Sequence, residues 1–162
     1  MSDKDLIKGN SVLPSLLVVG TLHHYLIDKG IRLKASLIVA SGEIRDAHDL
    51  ACHISYGASA VWPYLALENV RKLAENTPDL GISVSEAQEN YTKTLNKGLL
   101  KIMSKMGICT VSSYRGSELF EIIGLDKSVI TNAFKYSKSR TEGIGYEALG
   151  EQIKICSDEA SV

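Results

Sequence analysis

The chain has 162 residues, of which 44% are hydrophobic, and its 18 basic residues nearly balance 19 acidic ones. A folded domain of this length buries roughly 70% of the surface that its unfolded chain exposes, so a sizeable core is possible. The balanced charge gives no preference for nucleic acid or an anionic membrane, and the apolar runs are too short to cross a bilayer. We therefore expect one soluble globular domain over residues 1–162, with neither nucleic acid nor membrane as a partner.

The first ten residues and the three cysteines indicate the cellular compartment. The first ten residues, MSDKDLIKGN, lack the apolar stretch of a secretory signal and the Arg-rich, acid-poor composition of a transit peptide. Cys52, Cys109 and Cys156 lie far apart and form neither a C-x-x-C pair nor an even disulfide set. These features predict a cytoplasmic protein with reduced thiols.

Helix and strand patterns alternate in the first half of the chain. Apolar residues within 13–29 share one helical face, and Gly30 provides a stop signal. Continuous apolar runs at 35–40 and 58–64 predict strands buried on both faces. A helical pattern follows each run, over 43–57 and 66–76 respectively. This rhythm predicts βαβ units of a parallel sheet with right-handed crossovers.

A long helix is predicted from Ser83 to about Met106. Ser83 and Glu86 have the S-x-x-E spacing of a capping box, which marks the start of a helix. Lysines recur every four residues along it, and without a glycine-rich loop at a helix N-terminus we interpret them as a solvated row rather than a phosphate site. The row consists of Lys93, Lys97, Lys101 and Lys105.

The segment after the long helix predicts further alternation. A turn at Gly107 leads to a third strand at 108–113, and a turn around Gly116 leads to a helix over 117–125. The later sequence Gly143-Ile144-Gly145 lacks the third glycine of a dinucleotide-binding fingerprint. We therefore predict a turn at 143–145.

The histidines and Cys109 do not form an evident catalytic or metal site. His48 and His53 point about 140° apart on a helix, so they do not converge on one metal ion. Asp49 is correctly spaced from His53 for a surface pair, and adjacent His23 and His24 point in different directions; we assign all four histidines structural or capping roles. Cys109 lies in the predicted third strand, where a buried thiol is inert.

The sequence SYRG leaves two readings open. Tyr114 and Arg115 follow the predicted third strand, at the position where α/β folds place ligand contacts. Arg115 is equally suited to fixing a turn or meeting another domain.

Two long strings resemble a known family. The strings LHHYLIDKGIRLKASLIVASGEIRDAHDLACHISYGASAVWPYLALE and NYTKTLNKGLLKIMSKMGICTVSSYRGSELFEIIGL resemble the latter part of the central domain of the glutamate synthase large subunit. The sequence SRTEGIG at 139–145 is similar to the Ser-Arg-x-Gly-Gly-Ile-Gly segment that follows in the family. The resemblance covers 13–153, which leaves a polar segment at 1–12 and a polar tail at 154–162. The chain departs from the family pattern at four places: Tyr25, Ser112, Ser117-Glu118 and Glu142.

The resemblance implies an α/β fold with a small parallel sheet, similar to part of a (β/α) barrel-like central domain. Family members hydrolyse glutamine at an N-terminal cysteine, channel the ammonia, and use it in the reductive amination of 2-oxoglutarate at a flavin. The resemblance assigns no catalytic, cofactor-binding or metal residue to this chain and places FMN and an iron–sulphur cluster on domains outside it. It implies a scaffold whose partners are other glutamate synthase domains or subunits. The interface candidates are Ser104, Lys105, Gly107, Tyr114, Arg115 and Gly116.

Two alternatives remain open alongside the scaffold. An independent α/β module could bind a small anion through Arg115 and Lys105, or the chain could be a degenerate copy without activity. A sheet of three strands also leaves bare edges, which invite another chain. We therefore expect self-association, an edge covered by the N-terminal helix, or a partner domain bound at the edge.

Overall fold

Helices and strands alternate along the chain in a computed structural model, which describes residues 1–4 and 11–159. None of the helices in these ranges is long and apolar enough to cross a membrane. The helices are α1 (Ser15–Asp28), α2 (Ala47–Ser55), α3 (Tyr64–Asn76), α4 (Val84–Lys105), α5 (Val111–Tyr114), α6 (Lys127–Ala133) and α7 (Tyr146–Glu159). The strands are β1 (Ile38–Ala40), β2 (Ala60–Trp62), β3 (Glu121–Leu125) and β4 (Lys138–Ile144), and short 3-10 turns lie at Arg32–Lys34 and Pro78–Leu80.

The strands form two parallel pairs, each connected through a helix. In the first pair, Val39 of β1 lies opposite Val61 of β2, and α2 forms the crossover. In the second pair, β3 and β4 flank α6, and their register shifts on either side of Ile123. These βα units confirm the predicted α/β fold, and β1 and β2 fall within the apolar runs that predicted them.

The outer edge of β1 is covered by the first residues of the chain. The backbone N–H of Ala40 donates to the Met1 carbonyl at 3.0 Å, and the Asp3 N–H donates to the Ala40 carbonyl at 3.3 Å. The Asp3 carboxylate also accepts a hydrogen bond from the Ser41 hydroxyl at 2.6 Å. Residues 1–3, rather than the N-terminal helix, therefore cover this edge. Residues 5–10 of the expected polar segment and 160–162 of the expected tail lie outside the described residues.

The predicted third strand at 108–113 is wrong. The Thr110 hydroxyl accepts the Ser113 N–H at 3.3 Å and so caps the short helix α5. Side chains of Ser and Thr offer such local bonds in competition with a strand ladder. Hydrogen bonds made by the segment's own hydroxyl groups therefore favour a short helix, although its composition is typical of a strand.

The predicted helix at 117–125 and turn at 143–145 are also wrong, because these segments contribute to β3 and β4. Ile122 and Ile123 are β-branched and suit a strand. Gly143 lies so close to β3 that a Cβ atom there would be 2.0 Å from the Gly124 carbonyl oxygen. The absence of a side chain at Gly143 therefore allows close strand pairing in a segment that we predicted to be a turn.

The core lies where α1, α2, α4 and α6 meet around β1. The capping box at the start of α4 is confirmed in part, since the Ser83 hydroxyl accepts the Glu86 N–H at 3.2 Å, and the lysine row on this helix is exposed as predicted. Two glycines bring helices together: a Cβ at Gly20 would lie 2.1 Å from the Ala133 carbonyl oxygen, and one at Gly98 would lie 2.4 Å from the Ala47 Cβ. The main buried residues are Val19, Val39, Ile44, Leu99, Met103, Val129 and Phe134.

The cysteines divide into one buried and two exposed thiols. Cys52 is buried on α2, and burial raises its pKa to about 12, so the thiol stays protonated. Cys109 is exposed, contrary to its predicted burial, because it lies in the loop before α5 and not in a strand.

We expect Gly98→Ala to destabilise the protein by about 1–3 kcal/mol, because α2 and α4 must separate to admit the methyl group. Gly150→Ala is the matched control, since its Cβ would meet nothing within 4 Å on α7. There the better helix propensity of alanine should leave stability unchanged or raise it by up to about 1 kcal/mol. Urea unfolding of both variants measures the difference, and equal effects would contradict the close helix contact.

We expect Cys52→Ser to lower the free energy of unfolding by about 1–3 kcal/mol, because a hydroxyl group would replace a packed thiol. Cys109→Ser should change it by less than about 0.5 kcal/mol, as expected of an exposed site. Urea unfolding checks both values. In the native protein a thiol reagent should modify Cys109 rapidly and Cys52 slowly; equal labelling rates would contradict the assignment.

Candidate functional site

A sharp backbone turn brings the SYRG sequence against α1. The Ser117 N–H donates to the Tyr114 carbonyl at 3.1 Å, and Gly116 and Glu118 adopt positive φ angles of 71° and 51°. Positive φ is readily adopted by glycine and is uncommon for a residue such as glutamate. We call this segment, Tyr114–Glu118, together with the side chains of His23, His24 and Arg32, the junction.

The imidazole of His23 lies between two glycines. A Cβ at Gly57 would be 2.3 Å from its Nδ1, and a Cβ at Gly116 would be 3.1 Å from its Nε2. Both glycines have positive φ, so the backbone conformation and the space for the ring depend on the same residues. Any larger residue at Gly57 would have to displace the His23 ring.

Arg32 fixes the tautomer of His23. Its Nε donates to His23 Nδ1 at 2.9 Å, and its two terminal nitrogens donate to the carbonyl oxygens of Ala35 and Gly57 at 2.7 Å each. The Nδ1 atom is therefore an acceptor, and the proton of the neutral ring lies on Nε2. Burial, helped by the positive charge of Arg32, lowers the pKa of His23 to about 4, so the ring is neutral at pH 7.

His24 and Glu118 form a buried pair. His24 Nε2 lies 3.0 Å from Glu118 Oε1, and the two side chains are only 3% and 8% exposed. Burial raises the pKa of Glu118 to about 7. Burial also lowers the pKa of His24, and the nearby Lys135 acts in the same direction. Both shifts favour neutral side chains, as expected where charge is removed from water.

Several polar atoms of the junction are buried without a hydrogen-bond partner among the described residues. Three of them lie in the segment Tyr114–Glu118 and one lies on α1: Tyr114 Oη, Arg115 Nε, Glu118 Oε2 and His24 Nε2. His24 Nε2 is close to Glu118 but not aligned with it for a hydrogen bond. An unsatisfied buried polar group is unfavourable by about 1–3 kcal/mol, so each calls for a specific explanation.

The structure separates the predicted interface residues into two groups. Tyr114 is fully buried, with its pKa raised to about 12 by burial, and Arg115 and Gly116 are half-buried. Three others are exposed at the end of α4: Ser104, Lys105 and Gly107. Within the parts of the chain that the structure describes, no hydrogen bond or ion pair links the two groups.

Sequence reading missed the residues that complete the junction. His23 and His24 were given only structural roles, and nothing in their spacing indicated a carboxylate 94 residues after His24 in the chain. The one available signal was that Glu118 departs from the family pattern, whereas most of the segment SELFEIIGL follows it. The contacts themselves depend on how α1 and the turn after α5 pack together.

His53 is also placed differently from the expected surface pair with Asp49. It is buried, its Nδ1 lies 2.7 Å from the backbone carbonyl oxygen of Asp49, and its Nε2 lies 2.8 Å from Ser15 Oγ. The Ser15 hydroxyl and backbone N–H also reach Glu43 Oε2, at 2.7 and 2.6 Å. A carboxylate near the first residue of α1 interacts favourably with the positive end of the helix dipole. This cluster therefore stabilises the N-terminus of α1.

No group of three His, Cys, Asp or Glu side chains within residues 1–4 and 11–159 is arranged to hold a metal ion. His48 and His53 have different neighbours, since His48 Nε2 lies 3.6 Å from Cys52 Sγ. The junction itself offers buried, mostly neutral polar groups on a tight turn. Such an arrangement suits the positioning of a segment.

We expect Glu118→Gln to change the pH dependence of stability. The folded-state pKa of Glu118 is raised to about 7, so its proton stabilises the fold fully below pH 4.5, and this contribution is lost as pH rises through 7. Gln keeps a neutral side chain at every pH. The free energy of unfolding of the variant should therefore rise relative to the original protein between pH 4.5 and 8, by up to about 3 kcal/mol.

Chemical unfolding at several pH values measures this difference. Comparing the two proteins cancels the opposite trend from His23, whose lowered pKa makes its contribution disappear as pH falls towards 4. Glu142→Gln on the exposed strand β4 is the control for replacing a surface carboxyl group with an amide. A difference for Glu118→Gln that does not vary with pH, or that equals the control at every pH, would show that this carboxyl is not held in its neutral form.

Comparison with known proteins identifies relatives over nearly the whole chain. The chain is 46% identical to the ferredoxin-dependent glutamate synthase of Cyanidium caldarium, over 97% of this chain and 11% of that protein. It is 42% identical to the glutamate synthase (NADPH) large chain of Bacillus subtilis, over 99% of this chain and 10% of that protein. It is 38% identical to the glutamate synthase (NADH) of Schizosaccharomyces pombe, over 91% of this chain and 7% of that protein.

The chain thus spans about a tenth of the length of the curated relatives it matches. A family model described as the glutamate synthase central domain matches residues 1–126, which include β1, β2 and the junction. The resemblance seen in the sequence is confirmed: the chain belongs to the glutamate synthase central-domain family.

Proposed function

We propose that the chain is a non-catalytic scaffold, the latter part of a glutamate synthase central domain that keeps ammonia-producing and flavin-binding domains in register. Family membership and the small share of each relative that the chain covers support this role. FMN and the iron–sulphur cluster then belong to the other domains. The observation that carries the proposal is the junction, whose buried polar atoms lack partners among the described residues.

The electrostatics of the junction indicate the chemistry of the missing contact. Burial and the neighbouring positive charge of Arg115 both lower the pKa of Arg32. Arg32 makes three hydrogen bonds within the chain, while the buried Nε of Arg115 makes none with the described residues. A carboxylate from a neighbouring domain that reaches the accessible part of the half-buried Arg115 guanidinium would offset the repulsion between the two guanidinium groups.

The exposed residues at the end of α4 provide the second part of the proposed contact. Gly107 has a φ of 72°, and its N–H donates to the Ser104 carbonyl at 3.1 Å, which closes the helix with a left-handed turn. The turn holds Ser104 and Lys105 at the surface. We propose that these residues meet a partner domain directly, while Tyr114 and Gly116 hold Arg115 in place from within.

Binding between this chain and the rest of a glutamate synthase tests the scaffold. The partner is the Bacillus subtilis large chain produced without its matching segment, and the measurement is the dissociation constant of the complex. We expect a stable complex that Arg115→Ala weakens by about ten- to a hundredfold, the range for loss of a hydrogen bond to a charged group. Arg71→Ala is the control, since Arg71 pairs with Glu68 and Glu75 on the surface of α3.

The scaffold proposal would be contradicted if no complex forms, or if both variants weaken the complex equally. The small-anion module makes a different prediction. Under it, phosphate or glutamate alone should raise the melting temperature of the isolated chain, and Arg115→Ala should abolish that increase.

A further inference from the structure

Strand β4 is unusually exposed for a member of a parallel sheet. Six of its seven residues, all but Ile144, are exposed, and among the described residues it pairs only with β3. Parallel strands are normally covered on both faces, and an uncovered edge presents backbone N–H and C=O groups to another chain. Ile123 on β3 is 77% exposed beside it. Within the described residues, β4 therefore has no strand on its outer edge, and most of its side chains are not covered.

A cleft of about 650 Å³ lies alongside β4, between this strand and α6. Apolar groups in its lining come from Leu125, Ile130 and Tyr136. Tyr136 is 90% exposed and has a φ of 70°, so a bulky ring is held in solvent by an unfavourable backbone conformation. A surface of this kind gains stability when an incoming chain covers its apolar groups.

The charges around the cleft are mainly positive. Lys135 bonds to Asp28 at 2.6 Å and Arg140 lies 3.2 Å from Glu121, but Lys127 and Lys138 form no ion pair with any described residue. Glu142 is the one acidic residue of the cleft lining. The edge and its cleft therefore complement a segment that carries carboxylates.

We propose that β4 and this cleft receive an extended acidic segment from another part of a glutamate synthase polypeptide, which adds to the sheet as a strand. Strand addition satisfies the free backbone edge, and the acidic side chains meet Lys127, Lys138 and Arg140. Apart from Leu125, the site lies beyond residue 126, where the match to the central-domain family model ends, while the relatives are about ten times longer than this chain. This inference rests on the proposed function only for the origin of the acidic segment.

Peptides of about 15 residues, long enough to contain a strand of ordinary length, can be tiled across the Bacillus subtilis large chain outside its matching segment. Fluorescence anisotropy measures their binding to the full 162-residue chain. We expect binding by a peptide rich in Asp and Glu, weaker at high salt, with backbone amides of 138–144 becoming protected from hydrogen exchange.

The double variant Lys138→Glu/Arg140→Glu should weaken this binding at least tenfold. The control Lys97→Glu/Lys101→Glu changes the same number of charges on the exposed row of α4 and should leave the binding unchanged. Circular dichroism and urea unfolding establish that both double variants remain folded.

Three results would overturn the inference: no peptide binds, the bound peptide protects other amides, or both double variants weaken it equally. Concentration-dependent dimerisation that protects β4 would overturn it too, because a second copy would then occupy the edge. The scaffold is judged separately. If the complex depends on Arg115 but not on β4, the scaffold stands and this inference fails; if a peptide binds β4 and no complex forms, the reverse holds.

Discussion

The rest of the structure depends on the imidazole of His23 fitting between Gly57 and Gly116. Through this ring, α1 contacts the loop before β2 and the turn after α5, while Arg32 links the 3-10 turn to the His23 ring and to the Gly57 carbonyl. The arrangement requires a neutral ring, because Arg32 occupies Nδ1 as a donor. A side chain at Gly57 would displace the His23 ring, whereas one at Gly116 would crowd the ring more mildly.

Burial at the junction has opposite consequences for its acid and its bases. Neutralising Glu118 stabilises the fold towards low pH, whereas protonating His23 would disrupt it there, so the two trends partly offset each other between pH 4.5 and 6.5. A polar cluster of this kind contributes little net stability when its hydrogen bonds are incomplete. Its main consequence is that the positive charges of Arg115 and Arg32 lie near each other.

The proposed scaffold role would account for features that a free-standing domain does not need. The first strand pair is protected on the β1 edge by residues 1–3, but the second pair leaves β4 exposed, and Trp62 and Ile38 remain about half exposed. Parallel sheets depend on layers on both faces for their stability. In a protein about ten times longer, other parts of the polypeptide are available to supply those layers.

The sequence by itself determined the family, the α/β class, the helices with clear capping and periodic patterns, and the strands β1 and β2. These follow from local signals: a serine cap at Ser83, apolar runs, and glycines that end helices. Only the tertiary structure decided the rest, because the order of elements at 108–125 depends on a choice between Thr110 as a cap and a strand ladder, and on Gly143 pairing closely with Gly124. The junction was hidden for the same reason: His24 and Glu118 are far apart in sequence, and their shared burial exists only once α1 and the turn after α5 have packed together.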